Sequence, residues 1–296
     1  MESAGLNLPT GALSFRRGWN PVAGPVTGFL LASPLLLLLV VFLVVPMALV
    51  LGQSLVEGGI GAYGTFLANP VSMGALRRTL VSSVIVTLLT TGLGGVLAWR
   101  LRMTRSGLAR MLIWTAILTP LWMGVIVKNY AFTILLGRGG PLSVISAWLF
   151  GAEGVSLMYS QTAVVMGVFY SMLPYAALPL YVTFRSIDLD LLAAAENLGA
   201  SRLQALASVL LPLARPGLVA TGIIVFVISI GFYVTPVLLG GAKSPYLPSL
   251  IEQDLFQFYD ETAARIAAAI LLILAMAIVG LAMKLLGARQ LRRVIT

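Results

Sequence analysis

Cysteine and histidine are both absent from the sequence, and charged residues are scarce, at 10% of the chain. The missing cysteine excludes disulfides and thiolate nucleophiles. The missing histidine removes imidazole acid–base chemistry and the commonest zinc ligand. The shortage of charge excludes more. A soluble domain carries roughly 25% charged residues, and a chain of 296 residues this poor in them cannot cover a water-facing surface. Apolar residues are in excess, at 59% of the chain with a mean hydropathy of +1.00. This is the composition of an integral membrane protein.

Crossing a bilayer takes about 20 apolar residues at roughly 1.5 Å rise each. Runs of that kind lie at 29–54, 80–101, 111–135, 163–184, 217–239 and 263–286. Backbone groups in lipid must pair within their own segment unless a barrel closes, so an all-α protein of six transmembrane helices is predicted. The first run follows Arg16 and Arg17, but it is too long for a signal-peptide core and no small-residue cleavage site follows it. It reads as an uncleaved span. The expected organisation is a tail over 1–26, a six-span domain over 27–288 and a basic tail over 289–296.

The basic residues orient these spans. One side carries Arg16, Arg17, Arg100, Arg102, Arg105, Arg110, Arg185, Arg202, Arg215, Lys284, Arg289, Arg292 and Arg293. The other holds Arg77, Arg78, Lys128, Arg138, Lys243 and Arg265, with the acids Glu57, Glu153, Glu252, Asp254, Asp260 and Glu261. The positive-inside rule puts the richer side, and with it both termini, in the cytoplasm. The net charge of +9 is thus a topology signal and needs no nucleic-acid partner.

Between the fourth and fifth spans, on the cytoplasmic side, lies a polar-punctuated island over 186–212. Asp188 or Ser186 can cap a helix start. Leu191, Leu192, Ala195 and Leu198 then share a face. Gly199 sits where a helix ends on a residue of positive φ. Ser201 can cap a second helix carrying Leu203, Leu206 and Leu210 on one face, and Pro212 marks its expected stop. Two occupants fit such a face: the lipid surface or a soluble partner.

The segment Ala193-Ala194-Ala195-Glu196-Asn197-Leu198-Gly199, followed after nine residues by Val209-Leu210-Leu211-Pro212, resembles the EAA loop of the membrane permeases of binding-protein-dependent ABC importers. The family pattern is Glu-Ala-Ala, three residues, Gly, nine residues, Ile, one residue, Leu-Pro. Ala193 stands at the usual first Glu and Val209 at the usual Ile. Further segments are similar to the spermidine/putrescine-type branch. They are Thr119-Pro120-Leu121-Trp122 with Val127-Lys128-Asn129-Tyr130-Ala131 and Leu136-Gly137-Arg138-Gly139-Gly140; Met172-Leu173-Pro174-Tyr175 with Leu178-Pro179-Leu180-Tyr181; and Gly231-Phe232-Tyr233-Val234-Thr235-Pro236 with Gly240-Gly241-Ala242-Lys243. That branch also resembles importers of opines, phosphonates and ferric complexes.

The resemblance implies the type I ABC importer permease fold in a bacterial inner membrane. It implies a second, homologous permease subunit, two cytoplasmic ATP-binding subunits and an extracytoplasmic substrate-binding protein. The island becomes a coupling helix that docks on an ATPase subunit through Ala193, Ala194, Ala195, Glu196, Leu198, Gly199, Arg202, Leu206, Leu211 and Pro212. ATP and Mg belong to the partner. This chain has no Gly-x-x-x-x-Gly-Lys-Ser/Thr phosphate loop, so it is expected to be no enzyme itself and to hold no cofactor or metal. Trp122, Lys128, Asn129, Tyr130, Phe232 and Tyr233 are candidates for the translocation path or gate, since aromatic faces guide cations. Interfacial belts and helix packing account for the same aromatics. On a continuous helix Lys128 stands about 27 Å beyond Arg110 at roughly 1.5 Å per residue, which suits a lysine reaching the outer boundary. Gly92, Gly94 and Gly95 are expected at close helix crossings. A secondary transporter is disfavoured, because the expected spans contain no acidic coupling site.

Overall fold

The computed structural model describes residues 25–150, 156–241 and 244–295, and every regular element among them is a helix. The chain divides into two compact units, residues 1–49 and 50–296. Most of the expected tail 1–26, with Arg16 and Arg17, lies outside the described residues, as do Glu153 and Lys243.

Helix α1 (Pro25–Leu39) passes through a π turn at Val40–Val44 into α2 (Val45–Ala68). The backbone of α2 leaves helical geometry at Gly59, with φ 64° and ψ 171°, a region glycine enters at little cost. Then α3 (Pro70–Met103) opens on Asn69, whose side chain accepts from the Val71 N–H, with Pro70 in the first turn, where no N–H is needed. Next come α4 (Gly107–Trp122), α5 (Val125–Leu136), α6 (Pro141–Phe150) and α7 (Gln161–Ser186). The island holds α8 (Asp190–Asn197) and α9 (Arg202–Ala205), and a π turn at Leu206–Leu210 leads into α10 (Leu211–Ile230). After a π turn at Pro236–Gly240, α11 (Leu247–Phe256) precedes the long α12 (Glu261–Ile295).

Among the described residues, six helical stretches are long and apolar enough to cross a membrane: Ala32–Ala68, Pro70–Met103, Val125–Leu149, Gln161–Ser186, Arg202–Ile230 and Glu261–Lys284. The second, fourth and sixth contain or closely match the expected runs. The first extends past residue 54 and takes in Glu57. The third expected run, 111–135, is two helices. Met123 and Gly124 are extended, with ψ 127° and 145°, and separate α4 from α5. Pro120 just upstream lacks the N–H that would tie this turn back, and glycine holds no side chain against the break. The fifth expected run, 217–239, stops at Ile230, because the chain leaves the helix at Gly231–Tyr233.

Pro212 does not end a helix. The chain is helical from Arg202 through to Ile230. The reason is a change of register. The Leu211 N–H reaches five residues back to the Leu206 carbonyl, so the α-helix restarts at Leu211 and Pro212 falls in its first turn, where its missing N–H costs nothing.

Between helices in lipid, burial supplies little driving force, so close packing and hydrogen bonds hold the bundle together. The most extensive packing joins α3 and α7. At their crossing, a Cβ on Gly94 would stand 3.0 Å from Ala176 Cβ and 3.1 Å from the Ala177 nitrogen. Gly95 meets only ordinary contact and Gly92 none, so one of the three expected glycines makes the crossing. At the opposite end of α3 from Arg102, Thr79 Oγ1 accepts from the Leu247 N–H at 2.9 Å and Arg78 Nε donates to the Pro245 carbonyl at 3.1 Å. Such interhelical bonds contribute roughly 0.6 kcal/mol each. Arg265 at the start of α12 donates to both Glu57 and Glu261.

Candidate functional site

The island folds as a compact helix–turn–helix. The Asp190 N–H bonds the Asp188 carboxylate at 3.0 Å, so Asp188 opens α8 while Ser186 bonds back to the Thr183 carbonyl. Gly199 has φ +95°. Around it the Gly199 N–H reaches the Glu196 carbonyl at 3.0 Å and the Ala200 N–H reaches the Ala195 carbonyl at 3.1 Å. These are the paired bonds of a glycine-terminated helix. The next helix opens with a reciprocal cap: the Ser201 N–H bonds Gln204 Oε1 at 2.8 Å and the Gln204 N–H bonds Ser201 Oγ at 3.4 Å.

The apolar residues of the island divide into two sets. Leu192, Leu206 and Leu210 pack with Ala98, Leu180, Phe184, Ile187 and Ala214 into a cluster on α3, α7 and α10. Leu198 and Leu203 point away from it and are 90% and 79% exposed. The shared faces expected from periodicity are therefore divided between a root that grips the bundle and a tip that is free. At the tip, Arg202 lies 3.9 Å from Glu196, both on the surface. An exposed pair of this kind contributes little to stability.

The six path candidates do not form one site. Trp122 and Tyr130 are exposed, while Lys128 and Asn129 are buried on the first turns of α5. Lys128 is only 7% exposed, so it does not extend along an outer surface as a snorkelling lysine does. The break at Met123–Gly124 also removes the continuous helix on which its height was reckoned. Phe232 and Tyr233 fall in the second break, after α10.

Polar groups gather at that second break; Asn129 was among the sequence candidates, whereas Ser229 and Thr235 were missed. Asn129 Oδ1, Thr235 Oγ1 and Ser229 Oγ are buried without a hydrogen-bond partner among the described residues. Asn129 and Thr235 both face Gly167 of α7: a Cβ there would lie 2.8 Å from Thr235 Cγ2 and 3.6 Å from Asn129 Oδ1. Beside them a small, partly open cavity of about 10 Å³ is lined by Ser82, Ser83, Ser229, Phe232, Pro236 and Tyr246 among others. Ser82 and Tyr246 hydroxyls pair at 2.9 Å, and Gln161 Nε2 donates to Ser82 at 3.1 Å. Burial pushes the Tyr246 hydroxyl upward from its ordinary range, partly offset by the Ser82 bond and the nearby Arg78. Gly231 and Tyr233 of the break are exposed, while Phe232 is half-buried and adjoins the cavity. The available sequence signal was the serine and threonine content of otherwise apolar runs, which hydropathy averages away.

In the loop before α12, Asp254 sits half-buried on α11. Burial, and then the neighbouring Asp260, holds its carboxyl above the ordinary carboxylate range. Glu252 and Ser249 line an adjoining cleft with Gln253 and Gln257.

Residues 8–295 match the family described as "Binding-protein-dependent transport system inner membrane component". The chain is 28% identical over 232 residues to the spermidine/putrescine transport system permease protein PotB of Escherichia coli K12, covering 75% of this chain and 84% of the relative. It also resembles, at 16% identity and a TM-score of 0.75, a chain in the crystal structure of a bacterial ABC transporter involved in import of the acidic polysaccharide alginate, covering 88% of this chain and 94% of that one. A chain of the MetNI methionine ABC transporter in an inward-facing conformation aligns with a TM-score of 0.53 at 19% identity, over 74% of this chain and 98% of that one. The match runs nearly from end to end, so the chain belongs to the family of binding-protein-dependent transport system inner membrane components.

Proposed function

We propose that this permease component of an ABC importer carries a polyamine of the spermidine/putrescine kind across a bacterial inner membrane. An extracytoplasmic binding protein delivers the solute. Two cytoplasmic subunits hydrolyse ATP with Mg, and a second, homologous permease completes the path. In this reading 27–288 is the transport domain, both tails lie in the cytoplasm, and 186–212 docks on an ATPase.

One observation carries the docking assignment: Leu198 and Leu203 stand exposed at the tip of a capped helix–turn–helix whose root is packed into the bundle. An apolar tip on a rigid frame suits reversible contact with a groove. The likeness to PotB supports the solute class. The polar groups buried at the second break, Asn129, Ser229 and Thr235 with Phe232 beside them, would meet an amine with hydroxyl and carbonyl acceptors and an aromatic face once the break parts to admit it, with no carboxylate among them to hold it tightly. Selection then rests with the binding protein.

The test is reconstitution of the full assembly in proteoliposomes, with ATP enclosed and the binding protein and labelled spermidine or putrescine added outside. ATP-dependent accumulation that requires the binding protein is expected. Accumulation without the ATPase, driven by an ion gradient, would overturn the importer mechanism. ATPase stimulation by a binding protein that takes other solutes but no polyamine would overturn the solute assignment alone.

A further inference from the structure

We propose that Arg102 is a positioning residue that locks the root of the coupling loop to α3, so that a displacement of the loop moves α3 together with α7. The proposal rests on the docking role of 186–212 given above.

Arg102 stands in the last turn of α3 and donates from Nη1 to the Phe184 carbonyl and from Nη2 to the Ile187 carbonyl. These carbonyls close α7 and begin the loop: the Phe184 carbonyl also accepts from the Ile187 N–H at 3.2 Å, and Arg102 takes up its second acceptor site together with the carbonyl of Ile187, the residue that caps the helix. The planar guanidinium serves two carbonyls with one rigid fork, which a lysine ammonium on a flexible stem does not reproduce. The guanidinium carbon lies 5.8 Å from the Trp99 ring centroid, and Trp99 meets Phe184 edge-on with centroids 5.8 Å apart. The same cluster contains Leu192 and Leu206 of the island. A push on α8 or on the π turn therefore meets a packed cluster whose polar tie runs to α3. The neighbouring Arg100 and Arg185 are exposed on the surface and have no such tie among the described residues.

The chain's lack of cysteine makes the geometry measurable directly. In the assembled transporter, spin labels at Arg100→Cys and Asn197→Cys report the distance between the end of α3 and the island, with and without ATP. An unchanged distance while the labels move relative to the rest of the bundle is expected. A distance that changes with ATP overturns the proposal, whatever any variant does. The second arm is Arg102→Gln, with Arg102→Lys beside it. Solute moved per ATP hydrolysed is expected to fall by about tenfold, within the usual range of coupling between sites, while membrane abundance and assembly persist. Lysine is expected to restore little of it. An unchanged ratio in Arg102→Gln, or losses of uptake and ATPase that only follow lost abundance, sinks the proposal. Leu198→Asp separates the two layers: if it too transports normally, the docking role itself has failed.

Discussion

Replacing Gly199 with alanine tests the island through its backbone alone. Gly199 has φ +95°, and no atom lies within 4 Å of where its Cβ would stand. The substitution therefore creates no clash and removes no side-chain contact. Its cost is conformational, roughly 1–2 kcal/mol for an L-residue held in the left-handed region. That is a factor of about 5–30 in the population of the native turn. The bonds at stake are Gly199 N–H to Glu196 and Ala200 N–H to Ala195. ATP-driven uptake should fall in proportion, and α8 should lose protection from hydrogen exchange while the spans keep theirs. Asparagine, which tolerates positive φ, should cost less. Gly199→Asp adds a charge close to Glu196 and is expected to abolish uptake at normal membrane abundance. The reasoning is refuted if Gly199→Ala and Gly199→Asp both transport at the native rate with α8 protection unchanged.

Three further outcomes follow from packing and titration. A Cβ on Gly217 would stand 2.3 Å from Thr183 Oγ1 and 2.4 Å from Thr183 Cγ2, so Gly217→Ala should destabilise the α7–α10 contact by about 1–3 kcal/mol, with partial rescue by Thr183→Ala, read in a thermal-denaturation assay in detergent. Gly167→Val should overfill the space against Leu239 and Thr235, where a Cβ would already lie 2.7 and 2.8 Å away, and membrane abundance measured by blot should drop. Asp254 keeps its proton to higher pH when folded than when unfolded; the folded state thus binds more protons, and the α11 loop loses stability as pH rises from the ordinary carboxylate range through the raised value. Asp254→Asn should remove that slope in hydrogen exchange across α11, stabilising the loop at neutral pH and changing little in acid.

Much of this fold was legible because hydropathy over 20 residues is a blunt, strong signal. It found α7 closely and the apolar parts of α3 and α12, falling short of the start of the one and the end of the other. It did not see the breaks at Met123–Gly124 and Gly231–Tyr233, since an average over apolar residues is indifferent to whether the backbone is helical. The proline rule misplaced the end of α9 because it counts residues in an unbroken α register. The π turn at Leu206–Leu210 shifts that register and brings Pro212 into the first turn of α10. At the island the local chemistry was readable: Gly199 takes positive φ and Ser201 caps, as those residue types dictate. Which leucines face inward was not, because the helix is too short for its periodicity to define a buried side without the α3 and α7 surfaces that meet it. Arg102 was read only as one charge in a topology count, since nothing in the sequence joins it to the carbonyls of Phe184 and Ile187.

The central claim is that the tip of the island meets an ATPase in the cytoplasm. Leu198→Cys would be the only thiol of this chain, and its cross-linking to the ATPase in native membranes tests that claim most directly. The account predicts a cross-link from position 198 and none from Leu88→Cys, an exposed position within the α3 span, with no labelling of position 198 by an impermeant maleimide added outside intact cells. A position 198 that is labelled from outside, or that cross-links no better than position 88, contradicts it.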